Sequence, residues 1–183
     1  HSDGVLSTNI SQSSTADLWS GSTGSFTFSG DSITSLASNK AIRTAEIAGD
    51  CRVEFTATTQ NNGMCIGFYD SSEDSSFADG GRGGMDTMTN SWLWRDEGTD
   101  RVGYGSNLAL ADIPIADGDT VKLERISGEF KLHVNGSVVY TWTQQSTNPL
   151  RLCIAVDLSG VVYSGLSWTG DVNNIFTDSS PVV

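Results

Sequence analysis

Between Asp119 and Trp142 the chain reads DTVKLERISGEFKLHVNGSVVYTW, and its apolar positions alternate with polar ones through three runs. Val121 and Leu123 mark the first run, Phe130, Leu132 and Val134 the second, and Val138, Tyr140 and Trp142 the third. Ser127-Gly128-Glu129 and Asn135-Gly136 separate them. A period of two interrupted by tight-turn residues predicts an antiparallel meander with one buried face. Asn-Gly is a strong hairpin signal, because both turn positions take positive φ at little cost. Two registers compete in the last hairpin. A two-residue turn pairs Leu132 with Val139 and sends Tyr140 and Trp142 away from Phe130. A three-residue loop with a bulge pairs Leu132 with Val138 and buries both aromatics. One residue of slip moves every side chain to the other face, and the larger apolar burial favours the bulged loop.

The same alternation runs through most of the chain. Residues 1–17 are polar and weakly patterned, a lead-in strand or loop. After Leu18-Trp19 come short runs at Ser25–Phe28 and Ala41–Ile47. Cys51–Ala57 sets Val53 and Phe55 against Arg52 and Glu54, which predicts one wet face. Met64, Ile66 and Phe68 share a face opposite Cys65, Gly67 and Tyr69, and the turn at Gln60–Gly63 predicts a hairpin between these two runs. Ser91–Asp96 and Arg101–Gly105 form a second pair across Glu97–Asp100. Leu108–Asp117, with Pro114, reads as a crossover. Leu150–Asp157 is strongly apolar, as a strand inside a sandwich should be, and Val161–Trp168 closes the set. No segment has the period of an amphipathic helix. The pattern predicts an all-β, two-sheet antiparallel β-sandwich of roughly a dozen strands over residues 1–170, with a polar tail or linker over 171–183.

Asp70–Asn90 breaks the rhythm. The stretch DSSEDSSFADGGRGGMDTMTN is rich in glycine and acid, and a loop of this length inside a compact domain is unusual and often functional. Composition narrows the partners. The 183 residues suit one domain with a proper core. The net charge of -12 repels nucleic acid and anionic membrane surfaces. No apolar run reaches the length of a spanning helix, so membrane insertion is not expected. The first residues lack the basic and apolar regions of a signal peptide. Cys51, Cys65 and Cys153 are odd in number and have no CxxC spacing, which favours three small buried hydrophobes over a disulfide framework or zinc site. Two glycosylation triplets, at Asn9 and Asn135, are of a kind that arises by chance in a Ser/Thr-rich chain.

The central stretch resembles the concanavalin A-like lectin and glucanase superfamily, particularly its laminin-G-like and pentraxin-like members. The residues that carry the resemblance are Thr120–Arg125, then Phe130-Lys131-Leu132-His133-Val134-Asn135-Gly136, then the apolar return strand. The likeness implies a jelly-roll sandwich and a role among lectins, carbohydrate-binding modules, glycosidases, polysaccharide lyases, adhesion domains and viral fibre domains. Fold alone does not choose among these.

Candidate chemistry favours binding over catalysis. Glycosidases of this fold pair carboxylates on one strand face, yet Glu54, Glu124 and Glu129 are scattered, and the adjacent Asp96 and Glu97 point to opposite faces of a strand. The Arg/Gln/His/Tyr set of the sandwich lyases is also missing. His133 sits among Lys131 and Asn135 and reads as a solvent-exposed cross-strand residue. Trp92 and Trp94 lie two apart, hence on one face. With Tyr104 on the partner strand and Tyr69 they make either an aromatic platform for sugar rings, with Arg95, Asp96 or Arg101 bonding hydroxyls, or simply core. No cofactor is required. Asp70, Glu73, Asp74 and Asp79 are oxygen donors of the type calcium takes, but their spacing is not that of an EF-hand, and a solvated loop is the stronger reading. The resulting expectation is a non-catalytic carbohydrate-binding module on a secreted protein, adhesin or virion surface, with a glycan as partner. A polysaccharide-cleaving enzyme and a structural, homo-oligomeric spike or capsid domain are the alternatives.

Overall fold

The computed structural model describes residues 19–21, 23–58, 63–77, 81, 85, 87–96 and 100–172. They form two stacked antiparallel layers. From edge to edge, the first layer runs β2 (Phe26–Ser29), β3 (Ser32–Ser35), β14 (Val162–Val172), β5 (Ile47–Thr56), β10 (Thr120–Ile126), β11 (Glu129–Val134) and β12 (Ser137–Thr141). The second runs β1 (Trp19–Gly21), β4 (Lys40–Thr44), β13 (Leu150–Val156), β6 (Met64–Asp70), β7 (Ser91–Asp96), β8 (Asp100–Tyr104) and β9 (Asn107–Asp112). Strand pairing joins the layers among the described residues through Leu150 and Ile47. No described helix is long and apolar enough to cross a membrane.

The alternating runs form strands because each sends one face into the same interior. Val53, Phe55, Val121, Leu123, Phe130 and Leu132 of the first layer meet Ile66, Phe68, Trp92, Trp94, Leu152 and Ile154 of the second, all buried. Trp92 stacks on Phe130 with ring centroids 3.9 Å apart and planes 5° from parallel, and Trp94 tilts against Phe55 at 5.0 Å. The opposite face of β5 and β10 is wet, as the pattern predicts. Arg52 is exposed, while Glu54, Lys122 and Glu124 are half-buried.

Two connections differ from the sequence expectation. β5 and β6 are not a hairpin: β5 pairs with β10 and β14, β6 with β13 and β7, and the chain passes from one layer to the other between them. Alternation shows that a run is a strand, whereas the partner is set by long-range packing. The expected crossover at 108–117 begins as β9, the edge strand of the second layer.

The meander forms as predicted, with the bulge in a different place. Asn135 and Gly136 both take positive φ (50° and 81°), so the two-residue turn is retained, with Val134 opposite Ser137. The shift falls away from the turn, between Leu132 and His133, and places Leu132 opposite Tyr140 rather than Val138. Tyr140 and Trp142 therefore share the inner face with Phe130, and Trp142 is fully buried with its indole N–H donating to the Gly103 carbonyl at 2.9 Å. His133 is also not the exposed residue expected. Only 8% of it is accessible, it lies opposite Val138, and its Nε2 is 2.6 Å from Glu124 Oε1.

The second layer is covered on both sides. Its outer face carries Ala41, Cys65, Tyr69, Leu93, Cys153 and Ala155, and Phe77, Met85 and Met88 from the 71–90 stretch close over them. Gly67 sits in the middle of this face. A Cβ there would lie 2.1 Å from the Trp92 carbonyl oxygen on the neighbouring strand, so only glycine fits. All three cysteines are free and buried, as expected.

Candidate functional site

The aromatic platform does not exist as a surface. Trp92 and Trp94 are each 1% accessible and belong to the interior between the layers. Tyr69 is fully buried on the opposite face, Arg95 is buried on that same face opposite Cys65, and Asp96 is buried at the end of the strand. Period two correctly sorts these residues onto shared faces. It does not reveal that β7 lies between β6 and β8 with a layer beneath it and a cover above it, so neither of its faces is wet. Of the six candidate binding residues, Tyr104 alone keeps accessible surface.

The acidic residues considered for calcium hold this cover in place. Asp74 accepts from Arg151 Nε at 2.7 and 2.8 Å, from Arg43 at 3.0 Å and from the Tyr69 hydroxyl at 2.9 Å. Burial raises its carboxyl, but the bonds from Arg151 and Tyr69 and the two guanidinium charges hold it below the usual range. Glu73 accepts from the backbone N–H groups of Thr89 and Asn90 at 2.6 and 2.7 Å, and from Asn90 Nδ2 at 2.7 Å. Asp70 caps the 3-10 turn Ser71–Ser76 through Ser72 and accepts from Asn148 Nδ2 at 2.6 Å. Burial raises Asp70 too, yet Asn148 and Ser72 together keep it low. Asp79 lies outside the described residues.

These contacts bring polar groups together at one end of the second layer. The ends of β6 and β8 and the starts of β7 and β13 meet there, since Leu150 pairs with Asp70, Tyr69 with Ser91, and Trp92 with Tyr104. The Tyr104 ring is half-buried and packs edge-on against Trp92 at 5.4 Å, and its hydroxyl donates to Asn90 Oδ1 at 2.8 Å. Burial, and then the charges of Glu73 and Asp70, raise the Tyr104 phenol, which therefore stays a hydrogen-bond donor. The Trp92 indole N–H donates to the Gln144 carbonyl at 2.9 Å, holding the 143–149 stretch beside the tyrosine. Arg125, buried at the end of β10, fixes the same stretch by donating to the carbonyls of Asn148 and Gly49.

The accessible rim thus consists of Tyr104, Asn90 and Asn148, with the exposed Gln145 on the same stretch, whereas the Gln144 side-chain oxygen is buried. It presents a partly exposed ring edged by amides, the chemistry that hydrogen-bonds sugar hydroxyls against an apolar face. Asn90, Gln145 and Asn148 were missed in the sequence. The available signal was the amide-rich run QQSTN ahead of an apolar strand. At the other end of β7 and β8, Asp96 lies opposite Asp100. Burial, then the Asp96 charge, push the Asp100 carboxyl up to about 6. No group of three or more His, Cys, Asp or Glu suited to a metal ion occurs among the described residues.

No protein-family model and no curated protein sequence matches the chain. Solved structures do share its architecture. The TRIM65 PSpry domain aligns with a TM-score of 0.56 at 12% identity, over 78% of this chain and 84% of that one. The apo Crh5 transglycosylase aligns at 0.53 and 14% identity, over 88% and 82%. A Bacillus subtilis protein of unknown function with a galectin-like fold aligns at 0.51 and 13% identity, over 87% and 93%. At these identities the shared property is the fold, a concanavalin A-like jelly-roll sandwich.

Proposed function

We propose that this chain is a non-catalytic carbohydrate-binding module, displayed outside the cell or on a virion, whose ligand surface is the amide-edged rim around Tyr104. The observation that carries the reading is the placement of Tyr104. It is the one aromatic of the candidate set with an accessible face, it is rigidly backed by Trp92, and the amides of Asn90, Gln145 and Asn148 edge it. A rigid ring with fixed amides loses little conformational entropy when a sugar settles on it. The fold adds support: the Crh5 transglycosylase, which shares the sandwich, is also known in complex with NAG.

The carboxylates nearest the rim argue for binding rather than cleavage. Glycoside hydrolysis needs one carboxyl kept protonated as a general acid. Asp70 is instead held ionised by Asn148 and Ser72, and both Glu73 oxygens are occupied by N–H donors from Thr89 and Asn90.

Affinity electrophoresis on neutral polysaccharides, combined with an oligosaccharide array, tests the reading. The folded wild type is expected to be retarded on at least one glycan. Tyr104→Ala should weaken that binding by about tenfold or more, equivalent to roughly 1.4 kcal/mol, and Asn148→Ala should weaken it less. Release of reducing ends or unsaturated products would replace the module with an enzyme, and the absence of retardation on every glycan would remove the carbohydrate assignment.

A further inference from the structure

The outer face of the second layer gathers four sulfur-bearing residues in one buried cluster. Cys65 lies opposite Ala155 and Cys153 opposite Gly67, so the two cysteines are diagonal neighbours on one face of adjacent strands. Met85 reaches down from the covering stretch, and its Sδ is 3.2 Å from Cys153 Sγ. Met88 joins the same cluster, and all four residues are fully inaccessible. Ordinary core packing accounts for the burial of each sulfur. It does not explain why a chain with 3 cysteines and 3 methionines places two of each in a cluster this small.

We propose that Cys65, Cys153 and Met85, with Met88 beside them, form a binding site for a soft monovalent metal ion, copper(I) in the first instance. Thiolate and thioether donors select copper(I), whereas zinc prefers thiolate, imidazole or carboxylate donors in a full tetrahedral set. Among the described residues no imidazole or carboxylate joins the two cysteines in a metal-binding group of three, and thioethers are poor substitutes for them. Burial, and then the neighbouring Cys65, drive the Cys153 thiol up, against a smaller opposing pull from Arg43. On binding, two S–H bonds break, two copper–thiolate bonds and one dative bond from the Met85 thioether form, and two protons pass to water. Copper enters as copper(I), so nothing is oxidised or reduced. The bound group carries one net negative charge, and the Arg43 guanidinium lies near enough to Cys153 to offset part of it.

The test is an anaerobic competition between the reduced protein and bicinchoninate for copper(I), in a Cys51→Ala background because Cys51 lies in the separate interior between the layers. One copper(I) per chain is expected to move from chelator to protein and to produce a near-ultraviolet thiolate-to-copper band. Cys65→Ser and Cys153→Ser should each abolish retention. Met85→Leu, which conserves core volume, should weaken it by about tenfold or more. Silver(I), which is redox-inert, should raise the thermal midpoint of the parent and not of Cys153→Ser, and zinc should do neither. Copper left on the chelator by the parent protein overturns the proposal, as does equal retention by Met85→Leu and Cys153→Ser. The parent and Met85→Leu decide the matter even if a serine variant fails to fold.

Discussion

Asp100 faces Asp96 across the β7–β8 hairpin, and the pair sets a pH dependence of definite sign. Its folded-state value of about 6, against 3.8 for the free side chain, means that the folded chain holds this proton more tightly than the unfolded one. Stability attributable to Asp100 therefore declines as pH rises from about 3.8 through 6, and the penalty is fully in place at neutral pH. Asp70, Asp74 and Glu124 act in the opposite sense. Their carboxyls are held low, so their contribution is present at neutral pH and is lost as pH falls below the ordinary carboxylate range. Asp100→Asn should accordingly raise the urea midpoint at pH 7.5, with the gain shrinking as pH approaches 4, a trend that paired denaturation curves will show. Gly67→Ala tests close packing at the same scale. The added methyl would meet the Trp92 carbonyl, and a loss of about 1–3 kcal/mol or outright failure to fold is expected in urea titration.

At the scale of elements, Asp74 is the carboxylate that ties the 3-10 turn Ser71–Ser76 to Arg43, Arg151 and Tyr69 of the second layer. Asp74→Ala removes the acceptor shared by Arg43, Arg151 and Tyr69. Local opening should become easier by about 1.4 kcal/mol or more, so labelling of Cys65 and Cys153 by a thiol reagent should accelerate about tenfold while Cys51 is unchanged. Mass spectrometry of labelled peptides separates the three sites. This cover also explains what was legible in the sequence. The meander, the β7–β8 hairpin and the sorting of Met64, Ile66 and Phe68 against Cys65, Gly67 and Tyr69 all follow from alternation and turn residues. The fate of the second face did not. Phe77, Met85 and Met88 are three isolated apolar residues in an acidic, glycine-rich stretch, and no local periodicity reports that they meet on a sheet. Of the two readings open for the indoles, platform or core, the fold makes them core, and it closes Arg95 off from solvent as well. Tyr104 escaped because it lies at the end of its strand.

Over the whole molecule, the layers are held together by aromatic stacking across the interior. Trp92→Ala empties the contact with Phe130 and should cost about 3–5 kcal/mol, shared by the entire sandwich rather than confined to the rim. Any loss of glycan binding in that variant must therefore be judged on folded protein alone. The net charge of -12 also orders the ligands: neutral glycans should bind with little dependence on salt, whereas uronate or sulfated polymers should bind weakly at low salt and somewhat better as screening increases. The two turns of positive φ, Ser127-Gly128 (51° and 85°) and Asn135-Gly136 (50° and 81°), carry a kinetic implication. They let β10, β11 and β12 close on one another at minimal loop-entropy cost, whereas β5, β13 and β14 must find partners far along the chain. In a pulse-labelled refolding experiment, amides of Val121–Thr141 should gain protection in the earliest phase, before those of Met64–Asp70, making this ribbon the template on which the rest of the molecule condenses.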